Sequence, residues 1–81
     1  MSLERMQDEG LLAITQNDAR QYEIRAKGLV ASLRAQLGQF TPIEDLNGDQ
    51  IADLALQLRN MLISHREKRE LIAAIKKALG R

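Results

Sequence analysis

Apolar residues recur along the second half of the chain at alternating intervals of three and four. Ile51, Leu54, Leu58 and Met61 begin the series, His65 and Lys68 carry it through the middle, and Ile72, Ile75 and Leu79 complete it. This is a heptad seam, the pattern with which one helix covers another. Ala55 and Leu62 widen its first half, and Gly80 stands where a helix would stop. The middle, Ser64-His65-Arg66-Glu67-Lys68-Arg69-Glu70, is polar. The spacing predicts one helix over 49–79 with a polar waist. The alternative is two helices joined near Ser64, since Ser64 and Glu67 have capping-box spacing.

Upstream, residues 19–38 read as a second helix with Tyr22, Ala26, Leu29, Leu33 and Leu37 on one face and Val30 beside them. Gly28 is a mild defect in it, or a point where another backbone comes close. Residues 1–18 are less regular. Leu3, Met6, Leu11 and Ile14 continue the apolar pattern, whereas Gly10 and Thr15-Gln16-Asn17-Asp18 weaken it. These residues are expected to form either the start of one long helix or a separate N-terminal helix or arm.

A structured connection is expected over 39–48. Gly38 has the place of a helix C-terminal glycine. Thr41-Pro42-Ile43-Glu44 has the order of an N-cap, a first-turn proline and a capping-box acid. Asn47-Gly48 is a turn dipeptide, and Asp49 is the expected cap of the next helix.

Two helices this long make a lone hairpin with no inside. Burying the widened stripes that include Val30, Ala55 and Leu62 requires a third surface. The expected architecture is therefore an all-α, long antiparallel helical hairpin forming a single domain over 1–81, paired as a homodimer in a four-helix bundle. A compact three-helix bundle and a hairpin completed by a different protein are the alternatives.

Composition narrows the class. The chain has 81 residues, 44% hydrophobic and 28% charged, and its aromatics are Tyr22 and Phe40 alone. A β-sandwich or barrel needs far more aromatic and β-branched strand residues. Cysteine is absent, which removes disulfides, thiol nucleophiles and thiolate metal sites and suits a reducing, cytoplasmic setting. No apolar run is long enough for a bilayer, so no membrane association is expected, and no signal peptide is apparent.

The net charge of +1 hides an asymmetry. Residues 1–58 carry five basic and nine acidic side chains, and residues 59–81 carry seven basic and two acidic. An antiparallel hairpin uses this arrangement directly, because it brings early acids to late bases. A second reading is a basic C-terminal helix for nucleic acid, with Arg66, Arg69, Lys76, Lys77 and Arg81 as the contacts. Glu67 and Glu70 dilute that cluster, and no aromatic platform accompanies it.

The segment Asp45-Leu46-Asn47-Gly48-Asp49-Gln50-Ile51-Ala52-Asp53 resembles the calcium loops of dockerin modules and integrin-type repeats. That resemblance implies oxygen ligands from Asp45, Asn47, Asp49 and Asp53. It departs from the pattern at Gln50, where a glycine usually turns the loop, and at Leu56, where an EF-hand places a bidentate glutamate. The plainer reading is a turn and a helix cap with complementary acids, so no metal or other cofactor is expected.

His65 is the lone histidine, and Ser64-His65 resembles the phospho-accepting helix of sensor kinases without its proline or the spacing of its other residues. A polar seam residue that sets register is the simpler role. Ser2, Ser32 and Ser64 have no assembled partner set for nucleophilic catalysis, and there is no glycine-rich phosphate loop. The expectation is a non-enzymatic interaction module (adaptor, small chaperone, regulator or assembly component). Its binding seam would be Leu54, Leu58, Met61, Leu62, Ile72 and Ile75, with His65 and Lys68 setting specificity.

Overall fold

The computed structural model describes residues 3–38 and 40–81, with side chains from Met6 onward. Helix α1 spans Leu3–Gln36, a single 3-10 turn η1 spans Ile43–Asp45, and helix α2 spans Gly48–Ala78. The two long helices pack against each other as an antiparallel hairpin. Its extents are 63 × 15 × 15 Å.

Helix α1 runs through residues 15–18 without a break. Thr15 explains how. It is a seam residue, only 2% exposed, and its hydroxyl donates to the Leu11 carbonyl one turn back at 2.7 Å. The hydroxyl is satisfied inside its own helix, so the methyl group packs in the seam and no polar atom is left bare. The inward face of α1 is Leu12, Thr15, Ala19, Tyr22, Ala26, Leu29, Leu33 and Gln36. Counting back from Tyr22 at intervals of three and four reaches Thr15 and Leu12. Met6, Leu11 and Ile14, the more apolar residues, therefore lie outside the contact and are exposed. Leu37 is also exposed, and Gln36 takes the last seam place. The side chain of Leu3 falls outside the described residues.

Helix α2 is continuous through the polar waist. Its inward residues are those of the heptad series, from Ile51 to Leu79. It ends in a Schellman motif: Gly80 is left-handed at φ 80°, its N–H donates to the Lys77 carbonyl at 3.1 Å, and the Arg81 N–H donates to Lys76 at 2.8 Å.

The connection departs from expectation in three details. Gly38 is not left-handed; its carbonyl accepts from the Thr41 N–H at 3.0 Å. Thr41 is not a helix cap, because Pro42 precedes η1 and no side-chain cap bond forms there. Asn47, not Asp49, caps α2, its side-chain oxygen accepting from the Gln50 N–H at 3.0 Å. Asp49 then lies in the first turn, where a negative charge suits the helix dipole.

The charge asymmetry finds its use in the hairpin. Lys68 Nζ lies 3.6 Å from Asp18 Oδ2, and Arg81 Nη2 lies 2.6 Å from Glu9 Oε1. These pairs match the register set by the packed seam, in which the start of α1 and the end of α2 share one end of the rod.

Candidate interaction surface

Packing is uneven along the rod. Near the termini, small and β-branched residues mesh, and Leu12, Thr15, Ala19, Ile72, Ile75 and Leu79 are buried. Toward the loop the seam is leucine against leucine. There Leu29, Leu33, Leu54, Leu58 and Met61 are only half-buried. Two helices alone cannot enclose side chains that large on both flanks. The chain exposes 6275 Å², about 1,400 Å² more than a compact monomer of 9.1 kDa.

The hairpin has two flanks. A groove on one is walled by Arg25, Gly28, Leu29 and Ser32 of α1 and by Gln57, Asn60 and Met61 of α2. Two heptads nearer the termini, this flank carries Leu11, Ile14 and Leu71, of which Ile14 is 63% exposed. Its charges are mixed, with Asp18, Asp53 and Glu67 alongside Arg25.

The other flank is different. Its loop-side groove has a floor of Ala26, Val30 and Leu62, with Lys27 and Arg34 at the rim. A second groove, walled by Arg20, Gln16, Arg69 and Ile72, continues it toward the termini, and Glu23 and His65 border both. Leu62 is 50% exposed. Arg20, Lys27 and Arg34 follow one another at seven-residue intervals, about 10 Å apart along the helix. On α2, Arg59, Arg66, Arg69 and Lys76 fall on the Leu62 side at helical spacing. All seven cations are exposed. Against them stand Glu9, already bound by Arg81, and Glu23, paired with Lys27 at 3.5 Å.

The residues singled out from sequence are distributed accordingly. Leu54, Leu58, Met61, His65, Lys68, Ile72 and Ile75 face α1 within the hairpin, whereas Leu62 faces outward into the basic groove. Among the basic candidates, Arg66, Arg69 and Lys76 join the composite flank. Lys77 lies on the outer side of α2, and Arg81 is engaged by Glu9. The α1 half of the flank was not anticipated, although its signal was present in the heptad spacing of Arg20, Lys27 and Arg34.

The acidic connection does not gather a metal-binding set. Asp53 is helical and its Oδ2 accepts from Gln57 Nε2 at 2.8 Å, Asn47 is spent on the cap, and no cluster of three acidic or histidine ligands forms among the described residues. What the connection does present is a tip. Phe40 is 90% exposed and Ile43 81% exposed, next to Glu44, Asp45 and Asp49. No helix in the described residues is long and apolar enough to cross a membrane.

No family model matches this chain, and neither the curated proteins nor the solved structures contain a significantly similar one.

Proposed function

We propose that the protein is a non-enzymatic helical interaction module, working in the cytoplasm as an adaptor, small chaperone, regulator or assembly component. It acts through apolar helix faces as a homodimer, with a further protein partner as its target. The observation that carries this reading is the half-buried leucine seam of the loop half, bordered by exposed Leu37 and Leu62. A stable protein interface removes roughly 800 Å² per partner, well within the surplus this rod exposes. A four-helix bundle is the arrangement that covers such a seam.

Sedimentation equilibrium of the full chain tests the reading. A concentration-dependent dimer is expected. A folded monomer at high micromolar concentration would sink the self-association part.

The composite basic flank favours a second reading, a small nucleic-acid-binding regulator. Such binding rests on phosphate contacts and weakens steeply with salt. A gel shift at low salt is its test, with Lys76→Glu and Lys77→Glu expected to weaken any complex.

A further inference from the structure

We propose that the loop tip of one molecule seats in the basic, apolar-floored groove of a second copy, and reciprocally. The result is an antiparallel two-fold dimer overlapped at the loop halves. This rests on the self-association reading above and specifies its geometry.

The inference comes from two surfaces of opposite chemistry on one chain. Between Arg34 and Arg59 there is no Lys or Arg, but Glu44, Asp45, Asp49 and Asp53 are all present. None of these carboxylates takes part in an ion pair among the described residues. Glu44, Asp45 and Asp49 adjoin Phe40 and Ile43, the two most exposed large apolar side chains described. The groove answers both features: Val30 and Leu62 offer an apolar floor, and Lys27 and Arg34 supply charge at the rim. The Lys27–Glu23 pair spans one helical turn in the open, so it is weak and readily exchanged.

The tip is also preorganised. The Asp45 N–H donates to the Pro42 carbonyl at 3.0 Å and the Leu46 N–H to Ile43 at 3.2 Å, which fixes Glu44 and Asp45 in η1. A rigid tip loses little freedom on docking.

Charge sets the offset between the copies. Full-length antiparallel pairing of two basic flanks would bring Arg20 and Arg66, near the middle of the rod, against the same cations of the other copy, and like charges across an interface are costly. Sliding the copies until only the loop halves overlap exchanges that repulsion for carboxylate-to-cation contacts at each end. The patch is then self-complementary, as a two-fold interface requires. The same overlap covers the leucine half of the seam and leaves the terminal half, already well packed, uncovered. A nucleic acid would match the rim cations but would leave the Val30–Leu62 floor and the Phe40 tip without partners.

The test is a charge exchange followed by sedimentation equilibrium at physiological salt. One variant reverses the tip (Glu44→Lys with Asp45→Lys), and the other reverses the rim (Lys27→Glu with Arg34→Glu). All four side chains are exposed, and circular dichroism checks that each variant stays helical. Each variant alone is expected to dimerise at least roughly tenfold more weakly than the natural chain. An equimolar mixture is expected to recover a one-to-one heterodimer, because every tip then meets a groove of opposite sign. If the natural chain dimerises and neither reversal changes its affinity, or mixing restores nothing, the tip-in-groove geometry is wrong and the interaction reading stands. A natural chain that stays monomeric, whether or not it shifts duplex DNA, overturns both.

Discussion

Lys68 holds a seam position that an apolar residue would normally fill, and its ammonium is met by Asp18 from the flank of the facing helix, Nζ to Oδ2 at 3.6 Å. The pair matches two residues that interrupt the apolar pattern, one in each helix, and so makes a single register the best one. Its side chains are 33% and 42% exposed, so solvent screens the attraction. Asp18→Asn is expected to lower stability by less than about 1 kcal/mol in urea unfolding. The deficit should shrink when salt is raised to about 1 M. Lys68→Leu should raise the urea midpoint, and cross-linking should then reveal added oligomeric species.

Side-chain truncation should reveal the gradient of packing. Ile72→Ala and Ile75→Ala remove buried side chains in the terminal half and should each cost about 2–5 kcal/mol. Leu56→Ala, on the exposed side of α2, should change the unfolding free energy of the isolated hairpin by less than about 0.5 kcal/mol. Leu58→Asp places a charge in the seam itself and is expected to abolish both cooperative folding and dimerisation, read by circular dichroism and sedimentation.

Two glycines in α1 are open to improvement. A Cβ at Gly10 or at Gly28 would meet nothing within 4 Å. Gly10→Ala and Gly28→Ala should each add about 0.5–1 kcal/mol of stability. The sites are 18 residues apart along one helix, so their gains should add in the double variant. Thermal unfolding provides the measurement, with an expected rise of roughly 4–8 °C per kcal/mol.

Asn47→Ala removes the one side-chain bond that caps α2 and should cost about 1 kcal/mol. Asn47→Asp should retain most of it. Millimolar calcium should leave the melting temperature of the natural chain unchanged. A ligand that binds only the folded state must raise it.

The long α2 helix was legible in sequence because its intervals of three and four persist through the waist. At His65 and Lys68 spacing outweighs residue type. The same rule, applied to α1, would have picked Leu12, Thr15 and Ala19. Apolarity alone points instead to Leu11 and Ile14, whose side chains lie outside the helix contact. Thr15 misleads for a physical reason: its hydroxyl is polar in the sequence but is consumed by the Leu11 carbonyl once the helix forms. The cap of α2 was misplaced by two residues because Asn47 and Asp49 are equally good caps in composition, and only the backbone path decides between them. The basic flank was half visible. Arg66, Arg69 and Lys76 cluster in sequence, whereas Arg20, Lys27 and Arg34 join them only through the antiparallel register. The acidic tip was seen as a candidate ion-binding loop, but its apolar side chains acquire meaning only when their exposure is known.

Because α1 and α2 pack antiparallel, with Arg81 beside Glu9, anything attached near the start of α1 or the end of α2 lies at the same pole of the molecule. A tether, a fused domain or an affinity tag placed there stands most of the rod's 63 Å away from Phe40. A label at that pole therefore reports on the rod from a distance and leaves the exposed Phe40 end unobstructed.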